Sequence, residues 1–327
     1  MHPISEKTLL VTGGAGFIGS SYIRMLLGGQ LGEIPKRIYI LDALTYAGSL
    51  ENLSMYLTHD KLEFVKGDIR NSDLVNDLLS EVNLVAHFAA ESHVDRSIVS
   101  SSDFISTNVL GTHVLLEASV RNKIETFVHV STDEVYGSIQ EGFWDENQPL
   151  QPNSPYAASK AASDLIVRSF GKTHGLDVRI SRCSNNYGSY QFPEKLIPLV
   201  ITNLILGKAI PLYGNGLNVR EWINCDDHSR AIHKILINGT PGNIYNIAGQ
   251  DEVSNLELVK IILDIMGKDS RSINFVADRK GHDLRYALDD RKIRESLGYS
   301  PSVLLEDGLK DTIKWYSDNE NWWKARV

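Results

Sequence analysis

The 327-residue chain carries 33 Lys and Arg against 41 Asp and Glu, a net charge of −8 with histidine neutral. Hydrophobic residues at 42% and charged residues at 23% allow a sizeable core and exclude disordered, collagen-like and coiled-coil architectures. The acidic balance argues against nucleic-acid binding, which needs a basic excess to displace phosphate counterions, so an anionic ligand must meet a local cluster of cations and N–H groups.

Met1–Lys7 shows no charged-then-apolar leader pattern. The first half of the chain then alternates short apolar runs with helical patterns. The runs are Thr8–Thr12, Arg37–Leu41 (ending at Asp42), Leu62–Lys66, Leu84–Phe88, Phe127–Ser131 and Val178–Ser181. Amphipathic stretches such as Leu74–Leu79 and Val109–Val120 lie between them. This order predicts βαβ units, hence an α/β fold built on a doubly wound parallel sheet of Rossmann type, covered on both faces. Such sheets bind ligands beyond the carboxyl ends of their strands. After about residue 185, Pro and Gly punctuate shorter elements, which predicts a smaller α/β substrate lobe. The expected division is a dinucleotide-binding domain over 1–185, completed by segments returning near 225–250, and a substrate lobe made mainly of 186–327.

The longest apolar stretch, Leu196–Leu206, is broken by Pro198, Thr202 and Asn203 and is too short to span a bilayer, so a cytoplasmic protein with no membrane contact is expected. Cys183 and Cys225, the two cysteines, have neither a disulfide framework nor metal-ligand spacing and read as small buried hydrophobes. Trp315, Trp322 and Trp323 read as packing residues. His93, Asp95 and His282 have no metal-ligand spacing, and no metal is expected.

Thr12-Gly13-Gly14-Ala15-Gly16-Phe17-Ile18-Gly19 follows the first strand and opens a helix. Its glycines permit a tight turn and close approach of backbone to a pyrophosphate, while the helix N-terminus offers unpaired N–H groups. Asp42 ends the second strand, where a carboxylate can accept both hydroxyls of an adenine ribose and would repel a 2′-phosphate. NAD is therefore expected over NADP. Asp68, at the end of the third strand, is placed to contact the adenine end.

Ser131-Thr132-Asp133-Glu134-Val135-Tyr136-Gly137 sets polar side chains at the end of the fifth strand. Ser154-Pro155-Tyr156-Ala157-Ala158-Ser159-Lys160 then opens a helix, with Ser154 as N-cap and Pro155 in the first helical position. Tyr156 and Lys160 share a face at i, i+4. A tyrosine titrating near about 10 is a poor base at neutral pH, and an adjacent ammonium is expected to favour its phenolate. Asp133 and Glu134 form a pair of carboxyls able to divide acid and base roles if their surroundings separate their pKa values.

The glycine loop and Tyr-x-x-x-Lys together resemble the extended short-chain dehydrogenase/reductase family and, within it, the dTDP-glucose 4,6-dehydratases. Further blocks carry the resemblance: Ala89–Asp95, Arg182–Gly188, Phe192–Pro198, Asn218–Trp222 and Asp278–Asp283. Asn224 and Cys225 depart from the family's usual Tyr-Val, and Ala43 stands where Lys is common. The resemblance implies a lyase converting dTDP-glucose to its 4-keto-6-deoxy product in a redox-neutral cycle with retained NAD, acting as a homodimer. Tyr156, aided by Lys160 and Thr132, would take the C4 hydroxyl proton; Glu134 would remove the C5 proton and Asp133 protonate the departing C6 oxygen. It places Gly13, Gly16, Phe17, Ile18, Gly19, Asp42, Thr45, Asp68, Ile69, Ala89, Thr107, Tyr156, Lys160 and Asn186 against NAD. Ser92, Thr132, Asn185, Lys195, Leu196, Pro211, Tyr213, Arg220, Asn255, Arg279 and His282 would contact the sugar nucleotide. Lys195, Arg220 and Arg279 supply the cations a diphosphate requires in an acidic protein. The alternatives are a UDP-sugar decarboxylase or 4-epimerase, a dehydratase for another nucleotide, and a non-catalytic NAD sensor. Asp133 argues against the decarboxylase and the 4-epimerase, the choice of nucleotide base stays open, and the complete Thr132, Asp133, Glu134, Tyr156, Lys160 set argues against the sensor.

Overall fold

The computed structural model describes residues 3–327. Strands β1 (Thr8–Thr12), β2 (Arg37–Asp42), β3 (Leu62–Lys66), β4 (Leu84–His87), β5 (Thr126–Thr132) and β6 (Val178–Cys183) fall where the apolar runs predict. They continue with β7 (Asn185–Tyr187), β8 (Ile210–Tyr213), β9 (Val219–Asn224), β10 (Ile244–Ile247), β11 (Glu252–Ser254) and β12 (Ile273–Val276). Seven of these form one sheet in the order β10-β6-β5-β4-β1-β2-β3, parallel throughout. The order reverses at β1/β4, the switch point beside which a doubly wound sheet binds its ligand. Leu9, Leu10 and Val11 are completely buried because helices cover both faces, which is why β1 is continuously apolar.

Two separate apolar clusters flank this sheet. Tyr22, Ile23, Ile232 and Ile235 pack on one face, and Val75, Leu115, Leu116 and Val167 on the other. Helix Cys225–Asn238 joins the first cluster and β10 pairs with β6. Helix Arg291–Leu297 also returns to that face through Ile293, a crossing with no local sequence mark. The remaining elements form a second body: β11-β9-β7, the parallel pair β12-β8, and helices Leu196–Ile205, Asn255–Ile265 and Leu305–Asp318 around their own core. Trp323 is fully buried, and Trp315 lies 4.5 Å from the Tyr190 ring centroid, so both pack as expected. No helix among the described residues is long and apolar enough to cross a membrane.

Two helices position the site. Helix Pro155–His174 begins as its sequence predicts: the Ser154 side chain accepts the Ala157 N–H at 3.1 Å, and Pro155 follows it. It ends at Gly175, whose φ of 69° is open to glycine at little steric cost. The amphipathic stretch expected over Val109–Val120 differs: Ile105–Gly111 is wound as a π-helix and only Thr112–Arg121 is α-helical. The wider turn coincides with buried Asn108, which exchanges hydrogen bonds with both the N–H (2.8 Å) and the carbonyl (3.0 Å) of Glu91 and donates to Ser159 at 2.9 Å.

Beneath the long helix, Asp164 is fully buried and accepts from Arg182 Nε at 2.9 Å, while Arg182 also donates to the Tyr136 hydroxyl at 2.8 Å. Truncating one partner leaves the other charge buried alone. Asp164→Ala should therefore lower unfolding free energy by about 3–5 kcal/mol, read by urea denaturation. A change below about 1 kcal/mol would show that the pair is not needed for stability.

Candidate active site

Every candidate residue from the sequence lines one cleft of about 830 Å³ beyond the carboxyl ends of the sheet strands. At its floor the glycine loop turns tightly. Gly13 has φ 69°, and a Cβ on it would sit 2.6 Å from the Ala89 nitrogen, so the loop and the end of β4 can approach only with glycine here. Gly19 is similarly confined, with a Cβ 2.3 Å from the Gly13 carbonyl oxygen. Helix Phe17–Leu27 starts immediately after Gly16 with no side-chain cap, leaving its first N–H groups for a ligand.

Asp42 does two things. Its Oδ2 accepts the Ala15 N–H at 2.9 Å and its Oδ1 the Leu44 N–H at 2.8 Å, so it braces the glycine loop while lining the cleft. Burial raises its pKa and the two N–H groups oppose that rise. Asp68 also lines the cleft, but its carboxylate is engaged by Arg70 Nε at 2.9 and 3.0 Å, which lowers its pKa. A relay unmarked in the sequence supports the same floor. The Ala89 N–H donates to Thr12 Oγ1 (3.3 Å), Thr12 to His87 Nδ1 (2.7 Å), His87 Nε2 to Thr112 Oγ1 (2.9 Å), and Thr112 to the Asn108 carbonyl (2.6 Å). Because Thr112 is committed as a donor to a carbonyl, His87 must carry its proton on Nε2. Burial holds this histidine neutral.

At the end of β5, Thr132 caps the short helix Asp133–Tyr136, accepting the Glu134 N–H at 3.3 Å and donating to Asp133 Oδ1 at 3.1 Å. Asp133 is only 3% exposed; burial first, then the charge of Glu134, pushes its carboxyl up to about 7. Burial also raises Glu134, but three cations, Arg220, Lys195 and Arg279, pull it back. The adjacent carboxyls therefore differ in surroundings as an acid–base pair requires.

Tyr156 lies across from them on helix Pro155–His174. Burial and the charges of Glu134 and Asp133 raise its pKa, with the Thr132 hydroxyl opposing. The lowering expected from Lys160 is thus set against burial and two carboxylates in the cleft. The Lys160 ammonium donates to the Val130 carbonyl at 2.8 Å, and burial brings its own pKa down to about 8. Asp164 was not singled out by sequence: it continues the Tyr156, Lys160 face at i+8, and its charge supports the ammonium from below.

The second body supplies the remaining wall. Lys195 Nζ donates to the Ser92 carbonyl at 2.9 Å. Arg220 is buried, donates to the carbonyls of Val219 (2.7 Å) and Asp283 (2.8 Å), and stacks 4.2 Å over the Tyr286 ring. Arg279 is paired with Asp95, and His282 Nδ1 with Asp278 Oδ1 at 2.7 Å. Tyr286 and Glu194 also line the cleft and were not singled out by sequence; Glu194 accepts from the Tyr46 hydroxyl at 2.9 Å and from Arg96 at 3.1 Å. Their partners lie far off in sequence, so only the surrounding motif blocks point to them.

The comparisons agree with this architecture. The sequence matches the GDP-mannose 4,6 dehydratase family over residues 10–312. The dTDP-glucose 4,6-dehydratase of Streptomyces antibioticus is 53% identical over 97% of this chain and 94% of its own length. That of Streptomyces niveus is 51% identical over the same shares of the two chains. A crystal structure of the dTDP-glucose 4,6-dehydratase from Streptomyces venezuelae, with NAD and TYD bound, superposes with a TM-score of 0.97 at 55% identity, covering 98% of this chain and 100% of that one. Matched over nearly its whole length by the family and more than half identical to these proteins, the chain belongs to the GDP-mannose 4,6 dehydratase family.

Proposed function

We propose that the protein is an NAD-dependent hydro-lyase that converts dTDP-glucose to dTDP-4-keto-6-deoxyglucose. The observation that carries the reading is the unequal carboxyl pair Asp133–Glu134, facing Tyr156 in a cleft that also holds a dinucleotide loop. The glycine cradle suits a pyrophosphate, because the helix after Gly16 has no side-chain cap and leaves its first N–H groups for an anion. Gly13, Gly16, Phe17, Ile18, Gly19, Asp42 and Asn186 would hold NAD, which when bound supplies the hydride acceptor and later the hydride donor.

The chain's own groups move the protons. Tyr156 takes the proton of the C4 hydroxyl as that carbon becomes a ketone. Lys160, kept cationic by Asp164, sets the local charge for this transfer. The ketone acidifies C5–H, which Glu134 removes, because the cations around it favour its carboxylate form. Asp133, held protonated to near neutrality, gives its proton to the C6 oxygen, which leaves as water. Glu134 then returns a proton to C5 as C6 is reduced, so the cycle loses one water and no net electrons. Arg220, Lys195 and Arg279 match the charge of the diphosphate.

Purified protein given dTDP-glucose and no added NAD should yield a sugar nucleotide lighter by one water in mass spectrometry. Asp133→Asn should slow that elimination by about 100-fold or more. An unchanged mass even with NAD supplied would overturn the assignment. The acid role also has a pH signature: the elimination rate should fall as pH rises through about 7, where the proton of Asp133 is lost. A single-turnover rate that climbs steadily from pH 6 to 9 would remove Asp133 as the acid.

We read the protein further as a cytoplasmic homodimer. Its cysteines are free and buried, as suits a reducing compartment. Ile105 and Leu110 on the π-helical segment and Leu165 on the packed helix Pro155–His174 are each more than half exposed and give one apolar face for a second copy. Leu165→Asp should shift the protein to monomer in sedimentation velocity, and an unchanged sedimentation coefficient would place the interface elsewhere.

A further inference from the structure

We propose that Asp95 is an internal competitor for the nucleotide's diphosphate, an inference that rests on the sugar-nucleotide reading of the cleft. Arg279 offers one edge of its guanidinium to Asp95: Nε to Oδ1 at 2.6 Å and Nη2 to Oδ2 at 2.9 Å. A carboxylate held this way presents the same fork of two oxygens as a phosphate, so the two ligands compete for one edge. The Tyr213 hydroxyl donates to the same Oδ2 at 3.4 Å, and the Arg279 guanidinium lies 5.2 Å from the Tyr213 ring centroid. One carboxylate thus gathers two residues that face the cleft from the second body.

The geometry makes this pair a latch. Asp95 stands on the short helix Val94–Val99 that follows β4 of the large sheet. Tyr213 ends β8 and Arg279 follows β12, the two strands of the small parallel pair. The ion pair therefore bridges the two bodies across the cleft, beside the second crossing from Lys195 to the Ser92 carbonyl. Arg220 differs, since its guanidinium rests on main-chain carbonyls that carry no net charge. Of these two arginines, Arg279 is the one whose Nε–Nη2 edge is already held by an anion. A diphosphate carries more charge than a carboxylate and meets several cations at once, so exchange proceeds toward the nucleotide while the strength of the Asp95 pair is subtracted from its affinity. When product dissociates, Asp95 recaptures Arg279 and the exit is favoured. The pair is a quarter to a third exposed, which sets the effect at the scale of a partly screened ion pair.

Calorimetric titration of NAD-loaded enzyme with dTDP tests this in wild type, Asp95→Asn, Arg279→Met and the double variant. Asp95→Asn should bind dTDP about threefold or more tighter, chiefly through slower dissociation. The gain should vanish in the Arg279→Met background. Asp103→Asn, removing another acid of the same cleft, should leave affinity within about twofold of wild type. Unchanged or weaker dTDP binding in Asp95→Asn, or a gain that survives without Arg279, would overturn the inference alone. Absence of dTDP binding in both wild type and Asp95→Asn would overturn the sugar-nucleotide reading and the inference with it.

Discussion

A carboxylate without access to water holds the catalytic helix to the sheet. Asp164 sits two turns beyond Tyr156 and one beyond Lys160, and its contact with Arg182 on β6 fixes the helix both in rotation and along its axis. Arg182 is anchored in turn through Tyr136 to Asn246 on β10, since the Tyr136 hydroxyl donates to Asn246 Oδ1 at 2.8 Å. A buried ion pair of this kind is a weak source of net stability, because desolvation consumes much of the Coulomb gain. Its value lies in geometry: a slipped helix would leave Arg182 or Asp164 as an unpaired charge. Tyr156 is therefore located by a contact that it does not itself make.

The asymmetry between the carboxyls has a different origin. Asp133 and Glu134 are adjacent in sequence, share the same short helix and lie at the end of the same strand, so local structure alone cannot separate them. The separation comes from the second body. Lys195, Arg220 and Arg279 are all among the main influences on Glu134, whereas Asp133 is raised mainly by burial and by Glu134 itself. Approach of the second body to the sheet both lines the cleft and adds cations beside one carboxyl more than the other.

This explains what was readable in the sequence. The glycine loop, the strand runs, the Ser154–Pro155 helix start and the i, i+4 pairing are local patterns, imposed by backbone sterics and helix periodicity, and they appear in place. The pairing of Asp95 with Arg279, the stacking of Arg220 on Tyr286 and the return of helix Arg291–Leu297 depend on residues distant in the chain, and periodicity contains nothing about them. Tyr156 shows the same limit in its electrostatics. An i+4 lysine suggests a lowered phenol pKa, whereas burial first, and then the carboxyls brought opposite by β5, raise it, and the lysine's ammonium donates to a main-chain carbonyl. The π-helical turn was hidden because its cause, Asn108 bonding Glu91 and Ser159, is tertiary.

Asp42 shows how a residue can shape a loop and still present acceptors to the cleft. Each of its oxygens already accepts one backbone N–H, from Ala15 in the glycine loop and from Leu44 beyond the strand. A carboxylate oxygen has two acceptor sites, so one remains on each for the paired hydroxyls of a ribose. The bonds that shape the loop also fix the direction of the remaining lone pairs and offset the desolvation that burial imposes on the carboxylate. The group that braces the turn thus keeps acceptor capacity toward the cleft, since the strand end that needs an acceptor to fold is also the edge of the sheet beside which such folds bind ligands.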